Sequence, residues 1–170
     1  IQNSRVTLYK CPTDPTIGNE KGFASYSQNG QVFGHNYENW GSKARFYPAN
    51  LPDGTSNTIF FTDKLAFCDK DTSIWDYPQN YWPDWGPIIA SSELNRGGLV
   101  LNSAPQFSPK KSTIDSRAMD CYGARASTFH TGGMVVGMGD GSVRTVGPGI
   151  NVQIWWNALT PDGGETQTLP

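Results

Sequence analysis

The sequence predicts an α+β fold: one antiparallel β-sheet with loop-rich insertions and a short C-terminal helix. Three observations carry this. Glycine and proline together supply 31 of 170 residues, while charged residues make up only 16% where about 25% is usual, which describes a chain of turns and short elements. Among the acids, 11 are Asp and 4 are Glu, a bias toward turns and strand ends, because Asp bonds its own backbone and Glu favours helix. The last fifty residues alternate like strands and then switch to helical spacing. At 18.6 kDa the chain has the size of a single domain, residues 1–170.

Each element follows from its local pattern. Residues 5–10 alternate and are β-branched, which predicts a short strand stopped by Cys11-Pro-Thr-Asp-Pro15. Aromatics at irregular spacing over 23–47 predict a packed loop with one strand. Residues 52–57 form a turn, and the near-continuous apolar run 58–62 predicts a central strand buried on both faces. No regular element fits 69–87. A short strand is expected at 99–101 and an exposed insertion over 102–120. Segments 127–130, 134–139 and 142–146 read as a three-stranded antiparallel meander, the last two joined by a type I′ turn at Asp140-Gly141. Asn151 is a helix N-cap, and apolar residues at 152, 155, 156 and 159 predict a helix over 151–159.

Composition also excludes partners. The net charge is −2, without a run of like charge, so nucleic acid has no electrostatic footprint. No stretch approaches 18 apolar residues, and Ile1-Gln-Asn-Ser-Arg5 is neither a start methionine nor a signal peptide; a segment upstream of it is expected. Cys11, Cys68 and Cys121 are too widely spaced for a zinc ribbon. They predict one disulfide and one free cysteine in an oxidising compartment, with Cys68–Cys121 as the favoured bridge, or three buried thiols in a reducing one.

His130, followed after nine residues by Asp140-Gly141 within Phe-His-Thr-Gly-Gly-Met-Val-Val-Gly-Met-Gly-Asp-Gly-Ser-Val-Arg, resembles the H-x9-DG region of the bacterial DUF1559 proteins. These carry a prepilin-type leader and are related to type IV pilins and type II secretion pseudopilins. Cys11-Pro-Thr-Asp-Pro15, Ser25-Tyr26 with Asn29-Gly30, Asp53-Gly-Thr-Ser-Asn-Thr58, and Trp156-Asn-Ala-Leu159 with Gly163-Gly164-Glu165 follow in the family's order and cover nearly the whole chain. The resemblance implies a pilin-like sheet, a processed leader and a hydrophobic N-terminal helix not contained in these residues. It implies an extracellular or cell-surface location, a structural role among other pilin-like subunits, and membrane contact only through that helix; Cys11 would have partnered a cysteine there. Two positions depart from the family's pattern: Thr131 stands where proline usually follows the histidine, and Thr62-Asp63 where glutamate usually closes the strand after Asp53-Gly54.

Catalytic residues are not expected. A strand between His130 and Asp140 separates them by roughly 20 Å at ~3.3 Å per residue, so Asp140-Gly141 reads as turn chemistry and His130 as the partner of a neighbouring loop. No Ser or Cys nucleophile sits in a recognisable motif. Asp69-Lys-Asp71-Thr-Ser73 starts like an EF-hand, but Ile74 replaces the required glycine and Asn80 the closing glutamate. No cofactor is therefore expected, and only the resemblance to pseudopilins leaves a calcium site in an irregular loop open. Trp75, Tyr77, Tyr81, Trp82 and Trp85 are the ligand-binding candidates, able to stack on sugar rings of an extracellular polysaccharide or to plug their loop onto the core. The domain without its helix should expose an apolar patch on the sheet; Ile59, Phe61, Val135, Val143 and Thr145 are candidates for the sheet faces, of which the C-terminal helix covers only part of one.

Overall fold

The computed structural model describes residues 4–18, 22–33, 46–70, 80, 87–90, 103–165, 167 and 169–170. Its sheet strands are β1 (Tyr26–Asn29), β2 (Ile59–Asp63), β3 (Ile88–Ile89), β6 (Met134–Met138) and β7 (Val143–Val146), in the order β3-β1-β2-β6-β7. β2 is central, as the apolar run predicts. The sheet is mixed rather than antiparallel, because β3 joins β1 in parallel through Gln28↔Ile88 and Asn29↔Ile89. β3 therefore runs antiparallel to β2, and the long connection between them lets the chain pass β1 and reach the sheet's far edge, which a hairpin, joining adjacent strands, could not.

Alternation divides the sheet into two faces. Met134, Val136 and Met138 of β6, Val146 of β7 and Ile59 of β2 are buried against helix α2 (Val152–Asn157), with Trp155, Trp156 and Leu159 completing the core. Asn151 caps α2 by accepting from the Gln153 N–H at 2.8 Å, as its sequence signature predicts. The pairings Gln28↔Phe61, Phe61↔Gly137 and Gly137↔Val143 put Phe61 and Val143 on the other face, next to the row of Tyr26, Asp63, Val135 and Thr145. Among the described residues that face is largely open: Phe61, with the Phe33 ring 5.4 Å from its own, is 51% and Val143 69% exposed. The expectation that β2 is buried on both sides is thus corrected, since α2 covers only one.

The hairpin between β6 and β7 also differs from expectation. Gly141 N–H donates to the Met138 carbonyl at 3.0 Å, Met138 N–H to the Ser142 carbonyl at 2.8 Å, and of the two turn residues only Gly141 has positive φ, at 86°. This is a three-residue loop closed by a glycine bulge rather than a type I′ turn. Asp140 favours it by accepting from the Ser142 N–H and hydroxyl at 2.9 and 2.6 Å. A Cβ at Gly141 would meet nothing within 4 Å, so Gly141→Val isolates the backbone cost. It should lose roughly 1–2 kcal/mol in denaturant unfolding; an unchanged midpoint would remove the turn's claim on glycine.

Three further expectations are corrected. Ser127–Thr128 (β5) is not a third meander strand; it pairs in parallel with β4 (Gln106–Phe107), held there because Ser127 Oγ accepts from the Leu65 N–H at 2.9 Å and Thr128 Oγ1 donates to Asp63 at 3.0 Å. Residues 5–10 contain a 3-10 turn, Thr7–Tyr9, not a strand, and Leu8 is 86% exposed. The insertion is partly packed: Ala118 is fully buried, and Met119 bridges to Cys68 and Lys111. Residues 23–33 and 46–47 supply the one expected strand, β1, followed by a single helical turn, α1 (Gly30–Phe33). The proposed strand at 99–101 lies outside the described residues.

Candidate functional site

Where residues 11–16 cross the end of the open face, two family segments far apart in sequence meet, Cys11 and His130 lying 119 positions apart. The segment folds as two successive turns, the Asp14 N–H donating to the Cys11 carbonyl at 3.1 Å and the Ile17 N–H to the Asp14 carbonyl at 3.3 Å, with Pro12 and Pro15 following the first residue of each, where their fixed φ suits the turn. Asp14 then staples it down. Its Oδ1 accepts from the Thr16 N–H and hydroxyl at 2.8 and 2.6 Å, and its Oδ2 from the Ser25 hydroxyl and Ala66 N–H at 2.8 and 2.9 Å. Thr16 Oγ1 in turn accepts from the Phe67 N–H at 3.0 Å. Segment 11–16 is thereby tied to the entry of β1 and to the chain leaving β2.

Cys11, Thr13, Asp14, Ser25, Asp63 and His130 line one pocket. His130 Nε2 lies 3.4 Å from Cys11 Sγ, Nδ1 lies 3.4 Å from Thr13 Oγ1, and Cys11 Sγ lies 3.0 Å from Thr13 Oγ1. The ring closes with its donors running in either direction: Nδ1–H to Thr13, Thr13 O–H to Cys11 and Cys11 S–H to Nε2, or, in the other tautomer, Nε2–H to Cys11, Cys11 S–H to Thr13 and Thr13 O–H to Nδ1. On the other side of Nε2, Asp63 Oδ2 stands at 3.9 Å, accepting from Thr128 Oγ1 and the Val135 N–H at 3.0 Å each. Burial pushes the Asp63 carboxyl above the ordinary carboxylate range, against the lowering effect of the Val135 and Thr128 bonds and of His130. Burial also raises the Tyr26 phenol, with the Cys11 thiol and Asp63 adding to it.

A thiol–imidazole–carboxylate relay needs sulfur and carboxylate on opposite ring nitrogens, and here both face Nε2 while Nδ1 faces a hydroxyl. Among the described residues no group of three or more His, Cys, Asp or Glu side chains is arranged to hold a metal ion.

The residues singled out in the sequence fall as follows. His130 contacts a neighbouring loop, as read. Asp140 and Gly141 sit in the β6–β7 turn, so the motif histidine and aspartate serve separate places. Asp53, from another family segment, accepts from the N–H groups of Gly163 and Gly164 at 2.8 and 2.9 Å, which makes that pair of landmarks a structural clasp. Asp69 is buried and accepts from the Ser112 hydroxyl and the Asp115 N–H; the other residues of its calcium-like run, Asp71 and Ser73, lie outside the described residues. So do Trp75, Tyr77, Tyr81, Trp82 and Trp85. Sequence reasoning missed Asp63 and Asp14 as site residues, although the family-departing acid at 63 marked the first and the proline-flanked motif the second.

Cys68 and Cys121 are joined, their Cα atoms 4.8 Å apart and 53 positions apart in sequence, in a small cluster with Leu65, Met119 and Phe129. Cys11 is a free, buried thiol. Closing so long a loop should stabilise the fold by roughly 2–4 kcal/mol. The Cys68→Ala/Cys121→Ala double variant should lose that much in urea unfolding, and a loss near zero, or three free thiols in the native protein under non-reducing conditions, would contradict the bridge.

These features define a class: an α+β domain with one sheet face packed on a C-terminal helix, the other left open, and an N-terminal segment clasped over the open face's end. The chain belongs to the family described as Protein of unknown function (DUF1559), whose model matches residues 2–153. No curated protein and no solved structure matches it.

Proposed function

We propose that this domain is the globular head of a non-catalytic, pilin-like or pseudopilin-like subunit, outside the cytoplasm, that assembles through a hydrophobic helix preceding residue 1. The observation that carries the reading is the open sheet face. Tyr26, Phe61, Val135 and Val143 are exposed on it, and monomers rarely leave so contiguous an apolar surface uncovered. The incoming chain reaches that face: the Tyr9 carbonyl accepts from the Ser25 N–H at 2.7 Å, one residue before Tyr26. Exposed Leu8 and Tyr9 extend the apolar surface toward the N-terminus. The long-range disulfide supports an oxidising compartment.

The test uses protein carrying the gene's upstream residues. Phe61→Asp should leave the 170-residue domain folded with a modest loss of stability, since the ring is half exposed and packs on Phe33, and abolish assembly of the longer protein in sedimentation. Normal assembly of that variant, or a gene encoding no apolar helix upstream, would overturn the reading. Saturable binding of polysaccharide by the domain, lost in Trp82→Ala, would instead favour a polymer-binding module built on the tryptophan-rich segment.

A further inference from the structure

The two edges of the sheet are built differently. At one end of the strand order stands β3, two buried residues long. Main-chain oxygens there are already engaged, the Ile88 carbonyl accepting from Lys64 Nζ at 3.1 Å and the Ala90 carbonyl from Gln31 Nε2 at 2.7 Å. At the other end stands β7, four residues long, without the proline or outward charge that keeps an edge strand from pairing. Its one charged residue, Arg144, is turned to the covered side, donating to the Ser56 and Leu169 carbonyls at 3.0 and 3.4 Å. The main chain of β7 is only half used. The bond from the Met138 N–H to the Ser142 carbonyl fixes the phase of the ladder, so the hydrogen-bonded pairs are Val136↔Arg144 and Met134↔Val146. The N–H and C=O groups of Val143 and Thr145 therefore point away from β6, and no group among the described residues bonds them.

We infer that two copies of this chain join edge to edge through β7, antiparallel across a two-fold axis, so that their sheets become one. A row of outward N–H and C=O groups is matched by another extended backbone, and β7 of a second copy supplies one with the same free groups and without rearrangement. The short, buried β3 does not. Charge selects the register. With Thr145 opposite Thr145 of the second copy, Arg144 stands opposite Val146 and not opposite its own counterpart, so no like charges oppose one another. Val143, 69% exposed, and the exposed Thr145 then carry the open face across the seam. A seam of four residues is smaller than a standard interface, so the pair is weak in dilute solution and gains from any arrangement that holds copies side by side. The contact belongs to the 170-residue domain and does not depend on a helix upstream of it.

Sedimentation velocity of the 170-residue chain, from about 10 μM to about 1 mM, should show a reversible shift from monomer to dimer, the range in which a small interface associates. Thr145→Pro removes an outward N–H that bonds nothing within the molecule, at an edge position where proline is tolerated; it should stay folded and weaken the dimer about tenfold or more, the effect of losing a main-chain hydrogen bond. Val143→Lys, at an exposed side chain, should do the same by placing a charge at the seam. Phe61→Asp, two strands in from the edge, should leave the dimer as it is. A chain that stays monomeric throughout overturns the inference. So does a dimer that survives in folded Thr145→Pro and Val143→Lys, and so does one that Phe61→Asp abolishes, since the copies would then meet through their open faces.

Discussion

Trp155→Ala should cost about 3–5 kcal/mol, the largest loss expected from any single residue of the core. The indole is fully buried and lies where α2 presses on the covered face of the sheet, among Ile59, Met134, Val136 and Val146. Truncation there removes the side chain that fills the space between helix and sheet, and strands of a sheet cannot collapse into the void without breaking register. The indole N–H, however, has no acceptor among the described residues, and an orphaned buried donor is itself a cost. Trp155→Phe should therefore lose only about 1–2 kcal/mol, because it gives up volume but relieves that donor. Urea unfolding of the two variants checks both values. If Phe costs as much as Ala, the N–H has a partner and the packing argument overstates the ring.

How much of this was legible in the sequence depends on how local the cause is. Helix α2 was readable because its cap, Asn151, and its buried face, Trp155, Trp156 and Leu159, lie within nine residues. The position of β2 was readable from its apolar run, but not the exposure of Phe61, since a run reports hydrophobicity and not which face finds a cover. Alternation at 5–10 suggested a strand where no neighbour offers a ladder, so the backbone closes on itself in a 3-10 turn instead. Ser127 and Thr128 were misplaced in a meander because their bonds go to Leu65 and Asp63, more than sixty residues away. The pocket was the least legible part. Cys11 and His130 are 119 positions apart, and nothing in the spacing of either motif pairs them.

Asp14→Ala should destabilise the domain by about 3–5 kcal/mol, comparable to the loss of the core tryptophan although no large apolar group is removed. Asp14 is buried and receives four hydrogen bonds from three separate segments: Thr16 twice, Ser25 at the entry to β1, and Ala66 after β2. Alanine would leave the Thr16 and Ala66 N–H groups without acceptors in a dry site, and each such group costs about 1–3 kcal/mol. Two hydroxyls lose partners as well, but they can rotate toward other acceptors, which caps the sum. Asp14→Asn separates charge from geometry. Its single carbonyl oxygen can serve one half of the staple while its amide repels the N–H donors of the other half, so it should recover less than half of the loss. Unfolding free energies of the two variants, with Cys11 labelling measured on whichever is folded, decide the matter. Cys11 in Asp14→Asn should react faster than in the native chain at every pH, because the staple and the His130 ring hold the same segment from its two ends. A variant with native stability and native labelling would show that residues 11–16 are held by something other than this carboxylate.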